Sequence, residues 1–191
     1  MLCDTCEQRI GRLERSFSQA WYHRGLIPKT APPDFLDVHG LDYSQFKLFH
    51  LSLLWRAGVA STRPFGQVRL GPYEEPLRRS ILDVNVPPAH EYPIYAFVLR
   101  DPNTHEVEHA IVMPPSSRRI EGVRCYSAIF AGCEWFYFVA QAMPPLPRSL
   151  MLSDAGMLRM PVINYTDHKS VTDFIKKWNQ STRRSLGRGS T

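Results

Sequence analysis

The chain has 191 residues, of which 43% are hydrophobic, 12% aromatic and 21% charged. These proportions are typical of a folded globular protein and exclude wholesale disorder or a fibrous repeat. A chain of this length can bury a sizeable core, whereas two full domains would be cramped. The best candidate for a membrane helix, Ala128 to Met143, is shorter than the required ~20 apolar residues and is interrupted by Glu134. The first residues also lack the basic and apolar regions of a signal peptide, so we expect a cytoplasmic protein with no membrane partner.

The net charge of +5 is concentrated at one end of the chain. The residues from Lys176 onward include five cations and no acid, so residues 1–175 carry 18 basic and 18 acidic side chains. The last twelve residues, 180–191, are rich in Ser, Gly and Arg and cannot bury enough apolar surface to fold. We therefore predict one α+β domain over residues 1–179 and a flexible basic tail over 180–191. A basic tail of this kind is more often a solubilising end than a specific reader of nucleic acid.

Apolar residues at three- and four-residue spacing predict three helices in the first half of the chain. The first helix, Asp4 to Trp21, is charged on one side and apolar on the other. The second, Tyr43 to Ala60, is apolar on nearly every side, so we predict that it is the buried central element. Gly71 and Pro72 precede a short third helix. The apolar positions of the first helix are Cys6, Ile10, Leu13, Phe17 and Trp21.

The two-residue period of β-strands begins at Ile94 and predicts two antiparallel hairpins. The first pairs Ile94–Arg100 with Val107–Met113, and the second pairs Val123–Phe130 with Glu134–Ala140. The sequence therefore predicts a four-stranded antiparallel sheet whose aromatic side chains are covered by the central helix.

The remaining segments complete the predicted fold. Ile27 to Gly40 is rich in proline and has no period, which indicates an ordered loop. Met157 to Ile163 is predicted to add an edge strand, and the near capping box at Ser170 opens a last helix that ends at Trp178. The predicted fold is α+β, with N-terminal and central helices packed on an antiparallel β-sheet, followed by a C-terminal helix and the basic tail.

Arg56 is the one charged residue that we expect to be buried in the central helix. An unpaired buried guanidinium would be very costly, so we predict a carboxylate partner, Glu74 or Glu75. On this interpretation Trp55, Arg56 and Glu75 have structural roles.

Cys3 and Cys6 have the Cys-x-x-Cys spacing of one zinc knuckle. A structural zinc site takes four ligands, and no second pair is present at this spacing, so the predicted metal site is incomplete. Cys125 and Cys133 fall on neighbouring predicted strands, where we expect the sheet register to hold them apart from the N-terminal helix. Half a zinc site, a redox dithiol and a reduced pair with Cys6 packed inward all remain open. We expect no cofactor, except for zinc shared between the two chains of a homodimer.

Motifs of the well-known enzyme classes are absent from the sequence. It contains no G-x-S-x-G elbow, Walker-type phosphate loop, dinucleotide fingerprint or H-E-x-x-H pair. His105, Glu106 and His109 lie in or beside a predicted hairpin turn, which indicates a solvated turn more than a catalytic site. We therefore expect no catalytic residue of a recognised motif, although a site built from dispersed residues is not excluded.

Three groups of residues stand out: Leu2 to Arg9, Phe46 to Phe49 with Ser52, Trp55 and Arg56, and Leu70 to Pro72 with Glu75 and Arg78. Together these segments resemble an uncharacterised bacterial protein family related to HNH endonucleases. In that family the Leu-Cys-x-x-Cys-Glu knuckle is part of a treble-clef zinc site, whose other half is an upstream Cys-x-x-Cys with a Ser-His-Ile-Ile-Pro stretch. Relative to the family, this chain begins at the second knuckle and lacks that upstream half.

The resemblance implies a treble-clef nuclease that has lost its catalytic half. A chain with half of the zinc ligands and no matched histidine is not expected to cleave nucleic acid. The first expectation is therefore a non-catalytic nucleic-acid-associated module, the alternative is a protein-binding adaptor or inhibitor in a bacterial or phage conflict system, and the third is a metal-dependent nuclease. The predicted nucleic-acid-binding residues are Arg9, Arg12 and Arg15 on the first helix and Lys176, Lys177, Arg183 and Arg184 near the C-terminus.

Overall fold

The computed structural model describes residues 4–60, 67–139 and 144–166. The predicted last helix and basic tail, with Lys176, Lys177, Arg183 and Arg184, lie outside these residues, as does Cys3.

Three α-helices are present in the first half of the described chain. Helix α1 spans Asp4–Ser18 and continues as a π-helical turn over Gln19–His23, so the predicted helix to Trp21 is confirmed with a wider last turn. Helix α2 spans Tyr43–Val59, and Asp42 caps it by accepting a hydrogen bond of 3.1 Å from the backbone N–H of Gln45. Helix α3 spans Glu74–Leu82 and follows a 3₁₀ turn at Gly71–Tyr73.

The strands form one six-stranded sheet in the order β1-β6-β2-β5-β4-β3. All neighbours pair antiparallel except β2 and β6, which are parallel. The predicted α+β class is therefore confirmed, with a mostly antiparallel sheet. The strands are β1 (Phe35–Val38), β2 (Ile94–Arg100), β3 (Met113–Ile120), β4 (Val123–Phe130), β5 (Cys133–Tyr137) and β6 (Leu158–Asn164).

The first predicted hairpin is wrong. β2 pairs with β5 and β6, and the segment after its turn meets the end of β2 in one isolated bridge between Arg100 and Val107 and a backbone hydrogen bond from Glu108 to Leu99. The strand that follows begins later, at Met113, and pairs with β4 through the Glu121–Gly122 turn. Local alternation could not reveal this pairing, because it depends on partners that are distant in sequence.

Two other predictions about the sheet also change. The predicted edge strand near Met157–Ile163 exists as β6, but it lies between β1 and β2 and is not at an edge. The predicted loop Ile27–Gly40 contains β1, whose four residues are too few for a clear two-residue period. The second predicted hairpin, β4 with β5, is confirmed.

Both faces of the sheet are apolar. One face packs under all three helices, and its centre is formed by Ala96, Trp135 and Tyr137. The opposite face buries a second cluster that includes Phe97 and Phe136, with cover from the segment around Leu150. The helix-covered face confirms that α2 packs buried on the sheet.

Helix α1 joins this core through aromatic side chains. The ring of Phe17 stacks on that of Phe49 with 4.1 Å between centroids, and the indole N–H of Trp21 donates to the carbonyl of Ala131 at 3.0 Å. This attachment leaves the opposite side of α1 exposed to solvent. None of the described helices is both long and apolar enough to cross a membrane.

Candidate nucleic-acid interface

The three arginines of α1 lie on its solvent side. Arg12 and Arg15 are exposed and Arg9 is half-buried. At about 100° of rotation per residue, Arg9, Arg12 and Arg15 cover an arc of about 120°. None of the three forms an ion pair with a carboxylate among the described residues. Their charges are therefore available to an anionic partner.

Two of the three acids of α1 occupy a different side of the helix, whereas exposed Asp4, at its first residue, lies on the same side as Arg15. Glu7 and Glu14 are exposed and, by the same rotation, project from the flank opposite to Arg9. The carboxylate Oε1 of Glu14 lies 2.7 Å from the guanidinium of Arg56, near the end of α2. Glu14 therefore faces α2, on the side of α1 away from Arg9 and Arg12.

The predicted partners of Arg56 are wrong. Arg56 is half-buried and pairs with Glu14, whereas Glu75 pairs with arginines of its own helix. The contact between α1 and α2 places Glu14 at the end of α2, and sequence spacing carries no information about that contact. Neighbouring Trp55 is buried in the core.

Glu75 holds two guanidinium groups on the surface of α3. Its carboxylate accepts from Arg78 at 2.7 and 2.9 Å and from Arg79 at 2.9 Å. These charge-assisted bonds lower the pKa of Glu75 to about 2. The positive charges of α3 are therefore partly neutralised, in contrast to those of α1.

A second group of arginines, absent from the sequence prediction, lies at the β3–β4 hairpin. Arg119 and Arg124 are directly opposite each other in the register, and both are exposed. The backbone N–H of Arg69 donates to the hydroxyl of Tyr126 at 3.2 Å, and that hydroxyl donates to the carbonyl of Arg69 at 2.5 Å. The guanidinium of Arg124 lies 5.5 Å from the centroid of the Tyr126 ring. The tyrosine therefore links the segment that carries Arg69 to the arginine pair on the hairpin.

The sequence carries one signal for this group of arginines. Arg118, Arg119 and Arg124 fall within one strand–turn–strand, with Glu121 as the only acid of residues 113–130. The incorrect first hairpin ended its second strand at Met113 and so left Arg118 and Arg119 outside the predicted strands. With the correct register, Arg118 points to the opposite face of the sheet and lies 3.0 Å from buried Glu134.

The cysteines are distributed over different parts of the core. Cys6 is half-buried on α1, whereas Cys125 and Cys133 are fully buried. Cys133 belongs to the helix-covered face of the sheet and Cys125 to the opposite face. Burial raises the pKa of the Cys125 thiol to about 12 and raises that of Cys133 further. Within residues 4–60, 67–139 and 144–166, no three His, Cys, Asp or Glu side chains form a group that could hold a metal.

A buried lysine ties α2 to the chain before β2. The ammonium of Lys47 donates to the carbonyls of Glu91 at 2.8 Å and Tyr92 at 2.9 Å, with Ala89 at 3.5 Å. Burial lowers the pKa of Lys47 to about 7, although the nearby charges of Asp154 and Glu91 act in the opposite direction. This lysine is enclosed, so its contacts are structural.

His50 lies deeper, in a cage of aromatic side chains. Its Nδ1 is 3.1 Å from the hydroxyl of Tyr137, and its ring centroid is 4.2 Å from that of Trp135. Burial and the charge of Lys47 hold the pKa of His50 well below its usual value, so the imidazole is neutral. Full burial separates it from any substrate that approaches from solvent.

Comparison with known proteins found no matching protein-family model, no matching curated protein and no matching solved structure.

Proposed function

We propose that the protein is a non-catalytic module that binds the phosphate backbone of nucleic acid. The observation that carries the proposal is the α1 surface, where Arg9, Arg12 and Arg15 project together without a carboxylate partner in the described part of the chain. Phosphate contacts from arginine supply most of the sequence-independent affinity for nucleic acid.

The arrangement of the helix supports this proposal. The aromatic contacts of Phe17 and Trp21 fix α1 on the core, so its outer side is presented by a rigid element. Because Glu14 is engaged by Arg56, the acid nearest in sequence to Arg12 and Arg15 is directed away from them. A guanidinium donates two parallel hydrogen bonds to a phosphate, which suits repeated contacts along a backbone.

The test measures the affinity of the full chain for DNA and RNA oligonucleotides over a range of salt concentrations. A variant with Arg9→Gln, Arg12→Gln and Arg15→Gln should bind more weakly, and its log–log salt slope should become shallower by about 0.9 for each duplex phosphate contact that is lost. Absence of salt-dependent binding by the parent chain contradicts the proposal.

A matched control removes three positive charges that already have acidic partners. Lys29 lies 3.0 Å from Glu106, Arg79 2.9 Å from Glu75, and Arg159 3.6 Å from Asp37. The corresponding triple glutamine variant has the same net charge as the α1 variant. If both variants lose affinity equally, the binding depends on net charge alone and not on α1.

A second candidate function is a protein-binding adaptor or inhibitor of a bacterial or phage protein. Val112 and Met113 are adjacent, 72% and 45% exposed, and stand where edge strand β3 begins. Exposed apolar side chains at a sheet edge favour protein contacts. Binding to a protein partner that resists salt and is lost with Val112→Ser and Met113→Ser would favour this function over the first.

A further inference from the structure

We propose that Arg119 and Arg124 of the β3–β4 hairpin form a separate phosphate-binding site for a nucleic-acid backbone. This inference rests on the proposed function, but it concerns a different surface from the α1 arginines. The hairpin belongs to the edge of the sheet, where β3 has a neighbour on one side only.

The register places the two arginines at directly opposite strand positions. Arg119 and Arg124 are direct Cα partners, so their side chains project to the same face with about 4.5–5.5 Å between Cβ atoms. Neither forms an ion pair with a carboxylate among the residues that the structure describes. Like charges at directly opposite strand positions destabilise an antiparallel pair.

The same sheet contains a cross-strand pair of opposite charges, which is the more usual arrangement. Arg159 of β6 is the direct Cα partner of Asp37 of β1, and the two side chains approach to 3.6 Å. Opposite charges at such positions stabilise the strand pair. The Arg119–Arg124 pair is therefore an unfavourable element of the free protein, as is common where stability is given up for binding.

Local contacts hold the arginine pair in position. One Nη of Arg119 donates to the carbonyl of Gly122 at 3.0 Å, and the guanidinium of Arg124 lies over the ring of Tyr126. The Tyr126 hydroxyl is fixed in turn by both backbone groups of Arg69. A guanidinium has five N–H donors, so each arginine keeps donors for a ligand.

A phosphodiester is complementary to the arginine pair in charge and in hydrogen-bonding groups. Its two non-bridging oxygens accept hydrogen bonds from two neighbouring guanidinium groups, and its negative charge replaces their repulsion with attraction. Exposed Arg69, held beside Tyr126, offers a positive charge for a following phosphate of the same backbone. Free polyphosphate has the same negatively charged phosphate oxygens but is shorter than a nucleic acid.

The experiment combines thermal unfolding with oligonucleotide binding for Arg119→Thr and Arg124→Thr in the full chain. Each substitution removes the repulsion, so the melting temperature of the free protein should rise by about 1–3 °C. Affinity for an oligonucleotide should fall about threefold to tenfold, since one phosphate contact is lost. A melting temperature that falls, or an affinity that does not change, overturns the inference.

Arg159→Thr is the matched control, because it makes the same substitution in a strand opposite Asp37. It should lower the melting temperature and leave oligonucleotide affinity unchanged. If it weakens binding as much as Arg124→Thr does, the hairpin is not a distinct site and the inference fails.

The outcomes separate this inference from the proposed function. Loss of binding in the Arg9, Arg12 and Arg15 variant, with parental affinity in both hairpin variants, supports the proposed function and overturns the inference. If the parent chain binds no oligonucleotide, the proposed function fails, and so does the hairpin as a nucleic-acid site. Thermal unfolding with added tripolyphosphate then tests free polyphosphate as the ligand. If tripolyphosphate raises the melting temperature of the parent chain but not that of Arg124→Thr, the arginine pair binds free polyphosphate.

Discussion

The guanidinium of Arg56 lies 2.7 Å from the carboxylate of Glu14, and this contact joins the end of α2 to the middle of α1. The side chains are 31% and 47% exposed, so water screens the pair and its strength is that of a surface salt bridge. The side of α1 that faces solvent follows from its buried apolar face, which includes Ile10, Leu13 and Phe17, and the pair adds one contact between the two helices.

Arg56→Gln should lower the free energy of unfolding by only about 0.2–1 kcal/mol, the range of a solvent-screened pair. A buried pair would cost about 3–5 kcal/mol when one partner is removed. Urea unfolding of Arg56→Gln, Glu14→Gln and the double variant gives the coupling energy directly. Combining Arg56→Gln with Glu75→Gln is the control, and those two effects should add.

Phe17→Ala should destabilise the protein by about 3–5 kcal/mol, because it removes a buried ring at the centre of the α1–α2 contact. Tyr22→Ala is the control, since Tyr22 is 55% exposed and should lose much less. The measurement is chemical unfolding followed by far-UV circular dichroism. A loss below 1 kcal/mol for Phe17→Ala would show that α1 is not packed on α2.

The stability of the protein should rise as the pH increases from 7 to 9, because of Lys47. Its pKa is about 7 in the folded protein and 10.5 ordinarily, so above pH 7 the unfolded chain binds the extra proton. The free energy of unfolding then increases with pH, by at most about 1.4 kcal/mol per pH unit. Below pH 7 the lysine is charged in both states and its burial cost is complete.

Lys47→Met tests the origin of this slope. The variant should lose the increase, most clearly between pH 7 and 8, where thiols with the ordinary pKa of 9.0 are still mostly protonated in the unfolded chain. Lys29→Met is the control, because the Lys29 side chain is 82% exposed. A parent protein with a flat profile would mean that the carbonyls of Glu91 and Tyr92 keep the ammonium charged.

Cys3 and Cys6 are predicted not to complete a zinc site within one chain. Four ligands are needed, and the structure places Cys125 and Cys133 on opposite faces of the sheet. The measurement is zinc content per chain together with molecular mass in solution. One zinc per monomer would contradict the prediction, whereas half a zinc per chain in a dimer would indicate four cysteines pooled from two chains.

Periodicity predicted the helices well and the sheet only in part. Ile10, Leu13 and Phe17 recur at helical spacing and are all buried, because the pattern and the buried face both follow from one local geometry. β1 and the true start of β3 were missed, since four residues carry little period and Pro114–Pro115 interrupts the alternation. The bounds of a short strand are set by the strands with which it pairs and not by its own sequence.

One part of the candidate binding surface could be predicted from the sequence, and another part could not. The separation of Arg9 and Arg12 from Glu7 and Glu14 could be predicted, because it requires only the helical rotation per residue. The opposition of Arg119 and Arg124 could not, because it requires the register of β3 with β4. A shift of one residue in that register would have sent the partner side chain to the other face.

The sequence by itself determined the α+β class, the positions of α1, α2 and α3 and the buried face of α1, because hydrophobic spacing acts within a few residues along the chain. Only the tertiary structure decided that β6 enters the sheet beside β2, that Glu14 meets Arg56, and that two arginines share one site on a hairpin. These relationships join residues that are distant in sequence or separated by a turn. Their energies depend on distances that exist only after the chain has packed.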